Sequence, residues 1–180
     1  MILGLDISTS STGWCIIGQE GNLINMGFID LKKKNGMFKK ASEVKSVLSS
    51  LHLENDINKV FIEENLQSFR SGFSSAQTLS TLARFNGVVS YLCFEEFGFE
   101  PLFLNVNSSR KKLGIKVERE KICGISTKQQ ILDWVTLRVS SSYVWPSKIL
   151  KSGPRKGKTV LESGCYDMAD AYVIAHAGSV

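Results

Sequence analysis

Two apolar runs open the chain, at residues 2–7 and 11–17, and a short stretch of serine and threonine separates them. Continuous apolar runs that end at turn residues are typical of buried strands. The two runs therefore predict a hairpin. A third run at residues 23–31 follows a Gly-Asn turn and predicts a third strand, so that the first three strands form an antiparallel meander.

The remainder of the chain alternates helical and strand-like patterns. Apolar residues recur at helical spacing over residues 37–51, and a short apolar strand follows at 59–65. The helix between them predicts that the third and fourth strands are parallel neighbours. The pattern further predicts a long helix at 76–97 capped by Ser74 or Ser75, a fifth strand at 102–106, a short basic segment from Ser108 or Ser109, a helix at 127–139 capped by Ser126, and a last helix at 165–177. This order indicates an α/β fold with a five-stranded mixed sheet, three antiparallel strands then two parallel ones, and helices on both faces.

Length and composition predict one domain over residues 1–180. The chain has 43% hydrophobic and 22% charged residues, enough for one compact core and too short for two substantial domains. No apolar run reaches the roughly 20 residues that span a bilayer, and Met1 leads straight into a strand instead of a signal segment. We therefore expect an intracellular protein, cytoplasmic or nucleoid-associated, without a membrane partner.

Cysteine and histidine are poor candidates for the chemistry. The four cysteines include no C-x-x-C pair, and the two histidines, His52 and His176, are far apart in sequence. This spacing argues against a zinc site, a redox motif or a histidine-based catalytic site. Hydrolytic chemistry would depend on carboxylates.

Positive charge is concentrated in one part of the chain. The net charge is +5, but residues 108–159 hold thirteen basic against three acidic residues, +10, which leaves −5 elsewhere. Such segregation fits a polyanion partner such as nucleic acid, with a merely solvated basic loop as the alternative. From residue 140, Gly and Pro are interspersed with Lys and Arg up to residue 164, which predicts a mobile basic loop.

Acidic residues occur at two predicted strand ends. Asp6 lies in an apolar run that should be buried on both faces, where an unpaired carboxylate costs several kcal/mol. A cation would compensate it, while an Asp that caps the turn through backbone amides is the alternative. Glu63 and Glu64 end the fourth strand, either as a solvated terminus or as functional groups, which gather at strand ends in α/β sheets.

A further acidic pair begins the last helix. Asp167 and Asp170 are three residues apart, so both project from one helix face. The helix dipole alone favours Asp167, but this explanation is weaker for Asp170, one turn further in. Clustered carboxylates stay ionised only beside cations. Oxygen ligands without Cys or His favour Mg²⁺ or Mn²⁺, and a pair of such ions can promote phosphodiester hydrolysis, so these residues predict a metal-dependent nuclease.

An ordered set of motifs extends this prediction. The motifs are I-L-G-L-D with T-G shortly after it, F-I-E-E, L-x-x-L-A-R-F-N-G-V-V, S-T-K-Q-Q and D-M-A-D-A-Y-x-I-A. Over nearly the whole chain they resemble those of RuvC-type Holliday junction resolvases, members of the RNase H-like superfamily. The resemblance implies an RNase H-like fold and an endodeoxyribonuclease that resolves four-way DNA junctions by paired symmetric nicks, without a nucleotide cofactor.

The same resemblance implies roles for individual residues. Asp6, Glu63, Asp167 and Asp170 would be the catalytic acids that bind Mg²⁺ or Mn²⁺, two ions in each active site. Glu63 is preferred to Glu64 because the family's glutamate directly follows an isoleucine. DNA contacts are implied for an aromatic that inserts at the junction and for basic residues near the active site: Phe69, Lys128 and Lys112. The segment 140–164, longer than the family leads us to expect, adds the candidates Arg155, Lys156 and Lys158.

Other functions stay open on the sequence alone. An RNase H-like nuclease that processes structured RNA is the nearest alternative, because a basic segment does not distinguish RNA from DNA. The stretch G-L-D-I-S-T-S-S-T-G also resembles the first phosphate loop of sugar kinases and actin-like ATPases, but those proteins need two such lobes and this chain supplies one. A nucleic-acid-binding module without catalysis is disfavoured because all four acids are present.

The helix predicted at 76–97 bears on oligomeric state. Its second half, residues 88–94, is apolar nearly all round, which is more surface than one sheet face covers. The helix at 127–139 could cover the remainder within one chain. Alternatively, the helix at 76–97 of a second copy could cover it. Because paired nicks need two active sites, we expect a homodimer whose interface is formed largely by the helix at 76–97.

Overall fold

The computed structural model describes residues 1–64, 76–139 and 143–180. Within these ranges the central sheet has five strands: β1 Ile2–Ile7, β2 Ser11–Ile17, β3 Leu23–Asp30, β4 Lys59–Glu63 and β5 Leu102–Leu104. The same ranges hold the helices α1 Met37–Glu54, α2 Ala76–Phe97, α3 Val106–Lys112, α4 Glu120–Cys123, α5 Thr127–Val139 and α6 Gly164–Ser179. Two further strands, β6 Ser147–Ile149 and β7 Thr159–Leu161, form a separate hairpin.

The order of the strands in the sheet is β3-β2-β1-β4-β5. β1 and β2 pair antiparallel with Asp6 opposite Gly13, and β2 pairs antiparallel with β3. β4 pairs parallel with β1, which brings Ile62 beside Leu5, and β5 pairs parallel with β4. The predicted meander and the mixed five-stranded sheet are confirmed.

The predicted neighbour of β4 is wrong. α1 carries the chain from β3 past β2 and β1, so β4 is parallel to β3 but lies beside β1. The physical reason is burial on both faces. Three consecutive residues of β4, Val60, Phe61 and Ile62, are buried, which a central position between β1 and β5 provides and the outer edge of β3 does not.

Helices cover both faces of the sheet. α1 and α2 pack against Leu3, Leu5 and Ile62 on one face. α6 packs on the other face against β1, β2, β3 and β4, and α5 and α3 pack against α6 in turn. Because α6 lies between the sheet and α5, its residues from Met168 to Ala175 are all buried. No helix of the described ranges is long and apolar enough to cross a lipid bilayer.

Two glycines allow α6 to lie directly against the sheet. A Cβ atom at Gly13 would lie 2.0 Å from the backbone oxygen of Asp167, and one at Gly4 would lie 2.4 Å from that of Ala171. These distances are far inside van der Waals contact, so any side chain at either position would push the helix away. The glycines therefore set the close approach of the first turns of α6 to β1 and β2.

The basic segment that precedes α6 contains the β6–β7 hairpin. Residues 140–142 lie outside the described ranges, and from Tyr143 onward the segment is anchored to the edge strand β3. The Tyr143 hydroxyl donates a 2.8 Å hydrogen bond to the Met26 carbonyl. Strands of three residues carry too short an alternation to be recognised in the sequence, which is why a loop was predicted here.

The described residues cover the surface of α2 only partly. α5 lies on the opposite face of the sheet, so the intramolecular covering that the sequence allowed does not occur. α1 packs along α2 and the side chains of Val89 and Cys93 are buried. Tyr91 is 61% exposed and Phe94 is 46% exposed. An apolar strip of α2 thus faces outward.

Candidate active site

Acidic side chains from β1, β4 and α6 meet at one edge of the sheet. Because β1 and β4 run parallel and in register, Asp6 and Glu63 lie side by side near the ends of their strands. Leu5 and Ile62, one residue earlier, belong to the core under α1 and α2, so the acids point to the face that α6 covers. α6 begins at this edge, where the absence of a side chain at Gly13 allows the Asp167 backbone to lie directly against the β1–β2 hairpin. The structure thereby brings together Asp6, Glu63, Asp167 and Asp170.

A cleft of about 400 Å³ opens at this edge. Its polar lining comes from the strand ends, the β1–β2 turn and the first turns of α5 and α6: Asp6, Ser8, Ser10, Glu63, Glu64, Lys128 and Asp167. Leu79 and Leu82 of α2 add an apolar wall. Asp170 is 6% exposed and is not part of this lining. Three of the four acids therefore face the cleft and the fourth lies behind them.

Two cationic side chains accompany the acids. The Arg110 Nη2 atom donates to Asp170 Oδ1 at 3.1 Å, and both side chains are largely buried. The Lys128 Nζ atom lies 3.8 Å from Asp167 Oδ1, and its side chain is 62% exposed. Arg110 is therefore committed to Asp170, whereas Lys128 remains accessible from the cleft.

The pKa values of three acids are raised. Burial raises the pKa of Asp6 well above its usual range, and repulsion from Glu63, Asp170 and Asp167 raises it further. Burial raises the pKa of Glu63 to about 7, with repulsion from Asp170, while Arg110 and Lys128 act in the opposite direction. Burial also raises the pKa of Asp170, despite its bond to Arg110. Two cations therefore do not compensate the negative charge that full ionisation would place here.

The donor set fits a hard divalent cation. It offers carboxylate oxygens and no cysteine or histidine, and its uncompensated charge favours bound cations. As the side chains stand, no three His, Cys, Asp or Glu residues of the described ranges are arranged to hold a metal ion. One Asp170 oxygen is also bonded to Arg110. Metal binding at this site therefore requires side-chain rotation around the cleft.

The geometry favours Glu63 over Glu64 as the ligand. Glu63 shares its face of β4 with Phe61, which packs against α6, and, beyond burial, repulsion from its carboxylate raises the pKa of Asp6. Strand alternation turns the next residue, Glu64, to the other face, although Glu64 also lines the cleft. The Glu64 amide donates to the Leu104 carbonyl at 2.9 Å and continues the pairing of β4 with β5.

The remaining predicted DNA contacts are dispersed. Lys128 lies in the first turn of α5 beside Asp167. Lys112 donates to the Ala177 carbonyl at 3.0 Å, about 10 Å along α6 from Asp170. Phe69 lies outside the described residues. The last three predicted contacts are exposed, lie between β6 and β7 and do not line the cleft: Arg155, Lys156 and Lys158.

Arg110 is the site residue that the sequence did not single out. It lies on α3, which begins at Val106 under a cap by the Asn105 side chain, two residues before the predicted start of the basic segment at Ser108 or Ser109. A signal was present, because β5 is parallel to β4 and its end therefore reaches the same edge as the acids. The residues that directly follow β5 were candidates for this site on topology alone.

The raised pKa values predict how stability changes with pH without metal. The folded state holds protons on Glu63 up to about pH 7, whereas an unfolded chain releases them near pH 4.5. Between these values the folded state binds more protons, so the free energy of unfolding falls as pH rises. We expect the melting temperature in EDTA to decrease from pH 5 to pH 8.

A Glu63→Gln variant isolates this contribution, because burial also lowers the pKa of His176, which adds a pH dependence of its own. Its melting temperature should vary less steeply with pH than that of the wild type. Mg²⁺ should raise the wild-type melting temperature more at pH 8 than at pH 5, since ionised carboxylates bind it. Parallel profiles for the two proteins, unaffected by Mg²⁺, would contradict this account.

Comparisons with known proteins support the fold. No protein-family model matches the sequence, and no curated protein matches it. Among solved structures, RuvC of Thermus thermophilus is similar, with a TM-score of 0.60 and 17% identity over 98% of this chain and 91% of that one. RuvC of T. thermophilus in complex with a Holliday junction substrate gives 0.64 and 15%, over 98% and 90%. The yeast mitochondrial Holliday junction resolvase Ydc2 gives 0.55 and 17%, over 99% and 77%. The chain therefore has the α/β fold of these proteins, as predicted.

Proposed function

We propose that this protein is a metal-dependent endonuclease that resolves four-way DNA junctions by paired symmetric nicks. The observation that carries the proposal is the convergence of acids from β1, β4 and α6 at one edge of the sheet, three lining the cleft and Asp170 directly behind them: Asp6, Glu63, Asp167 and Asp170. The fold adds support, since T. thermophilus RuvC shares it and has been solved with a Holliday junction substrate.

The four acids would hold Mg²⁺ or Mn²⁺, two ions in each active site. Such ions, when bound, activate a water molecule and stabilise the leaving oxygen of a phosphodiester. Other side chains of the protein orient the acids and neutralise the charge of the substrate phosphate. Arg110 fixes one oxygen of Asp170, and the accessible ammonium of Lys128 can contact the phosphate that enters the cleft. Leu79 and Leu82 line one side of the cleft and would limit the access of water there.

The other basic residues of the block at 108–159 would bind DNA away from the scissile phosphate. Lys112 lies near the end of α6, and the exposed cations between β6 and β7 extend from the segment that leads into α6. Phe69 is proposed, from the motif resemblance alone, to contact the junction. The basic residues would bind phosphates without reading sequence.

Cleavage of a substrate panel tests the proposal. The panel contains a four-way junction, a matched linear duplex, a flap and a structured RNA, each with Mg²⁺, Mn²⁺ or EDTA. We expect cleavage of the junction alone, only with a divalent cation, and at symmetrically related positions in two strands. Preferred cleavage of the structured RNA would assign the protein to RNA processing, and binding without any cleavage would remove the catalytic role.

A homodimer would supply the two active sites that paired nicks require. The outward strip of α2 supports this assembly, since Tyr91 and Phe94 are exposed apolar side chains beside the partly exposed Val88 and Leu92. Burial of the same strip from a second copy would give a two-fold symmetric contact.

Light scattering across a concentration series measures this assembly. We expect a dimer for the wild type, and a monomer for Phe94→Lys because the charge would be buried at the contact. Phe38→Lys is the matched control, since Phe38 is an apolar residue of α1 that is 75% exposed. A wild-type monomer that still makes paired nicks would contradict the dimer.

A further inference from the structure

A second lysine-rich segment lies at the same edge of the sheet as the acids. Residues 32–40 contain five lysines and no acidic residue, outside the basic block that the sequence made conspicuous. β3 ends at Asp30, which pairs with Ser11 at the start of β2. Because β2 starts where β1 ends, this segment leaves the sheet at the edge that carries Asp6.

Contacts tie this segment to the active-site edge. The Lys40 ammonium donates to the Thr9 carbonyl in the turn between β1 and β2, three residues after Asp6. The Lys32 ammonium donates to the Ser163 hydroxyl at 2.8 Å, directly before α6. The two bonds place the segment between the β1–β2 turn and Ser163, two residues beyond the end of β7.

The hairpin carries a second group of unopposed cations. Residues 147–161 contain five basic residues and no acidic one. Lys148 pairs with Glu162 at 2.9 Å. The other four are exposed, and no ion pair joins them to a described residue: Lys151, Arg155, Lys156 and Lys158.

The acids near these two segments leave most of the positive charge free. Lys34 pairs with Glu43 at 2.6 Å, and the Asp30 carboxylate accepts the Lys32 backbone N–H. Lys33 and Lys39 are exposed and have no ion-pair partner among the described residues. A region in which cations outnumber acids and that borders a cleft has a positive potential that attracts a polyanion.

We propose that residues 32–40 and 147–161 form one phosphate-binding surface, which holds a duplex arm of the branched substrate beside the cleft. We call it the β3-side basic surface. This proposal rests on the proposed function, and it adds the position of one duplex arm of the substrate on the protein. Two separate segments, the first bonded through Lys32 to Ser163 just beyond the end of the second, suit an extended row of phosphates better than a single small anion.

The salt dependence of junction binding in EDTA tests this surface without cleavage. Each lysine that contacts a phosphate contributes about 0.9 to the slope of log affinity against log salt. The double variant Lys33→Gln and Lys39→Gln should therefore lower the slope by about 1.8. Neutralising Arg155, Lys156 and Lys158 together should lower it further. Both changes are on exposed side chains, and unchanged melting temperatures would verify the fold.

Lys59→Gln is the matched control. Lys59 is an exposed lysine that begins β4, at the opposite edge of the sheet from the acids. The slope of log affinity against log salt for Lys59→Gln should equal that of the wild type. Hydroxyl-radical footprinting of the junction should show protection along one duplex arm that is lost in the Lys33 and Lys39 double variant and kept in Lys59→Gln.

The outcomes separate this inference from the proposed function. Wild-type slopes and footprints in the double variant, with junction cleavage intact, would overturn the surface and leave the nuclease. A lowered slope in a protein that cleaves nothing would support the surface and remove the nuclease. A slope change seen with structured RNA but not with the DNA junction would overturn the assignment to a DNA arm.

Discussion

Replacement of Asp6 by asparagine is expected to reduce junction cleavage by roughly 10³-fold or more, the scale seen when an essential catalytic group is removed. Junction affinity in EDTA should stay unchanged, because basic residues outside the cleft hold the phosphates. Asp6 is the natural target, since it interacts with each of the other three acids. Single-turnover cleavage and equilibrium binding on the same junction measure the two effects separately.

The same substitution should make the protein more stable. Asparagine keeps the shape of the side chain and removes a charge that burial and three neighbouring carboxylates disfavour. We therefore expect a higher melting temperature at pH 8 without metal, together with a smaller increase on addition of Mg²⁺. Loss of both stability and activity would indicate a folding defect instead of a lost ligand.

Glu63→Gln and Glu64→Gln serve as a matched pair for this test. The two residues are adjacent and both line the cleft, and burial together with repulsion from Asp170 raises the pKa of Glu63. Glu63→Gln should reproduce the effects of Asp6→Asn, and Glu64→Gln should cleave at close to the wild-type rate. The opposite result would assign the ligand to Glu64.

Replacement of Gly13 by alanine is expected to destabilise the protein by about 3 kcal/mol or more, at the upper end of overpacking effects. The added Cβ would lie 2.0 Å from the Asp167 backbone oxygen and 2.2 Å from its carbonyl carbon. Backbone atoms of a buried helix cannot rotate away as a flexible side chain could. α6 would have to move, and Asp167 and Asp170 would move with it.

Urea unfolding of Gly13→Ala and Gly87→Ala gives the comparison. Gly87 lies in α2 with nothing within 4 Å of an added Cβ, so alanine there should stabilise by about 0.5–1 kcal/mol through helix propensity. Cleavage should fall in Gly13→Ala and persist in Gly87→Ala. Equal stability of the two variants would mean that α6 does not depend on the close approach at Gly13.

Local patterns were enough to predict most of the elements. The bounds of α2 and α5 coincide with the predicted ranges, and β1, β2 and β3 form the predicted meander. These features depend on periodicity and turn residues within a few positions of one another, which a single sequence displays directly. The acids were recognisable for a similar reason, since Asp6 stands in an apolar run and Asp170 follows Asp167 by one helical turn.

Tertiary structure decided what depends on residues far apart in sequence. β4 pairs with β1 because its buried apolar run needs strands on both sides, a constraint that no local pattern expresses. Arg110 reaches Asp170 across sixty positions, and Lys32 reaches Ser163 across more than a hundred. α5 covers α6 and not α2, so among the described residues an apolar strip of α2 faces outward. The sheet and α6 pack so as to bury their apolar faces, and that packing brings residues far apart in sequence within reach of one another.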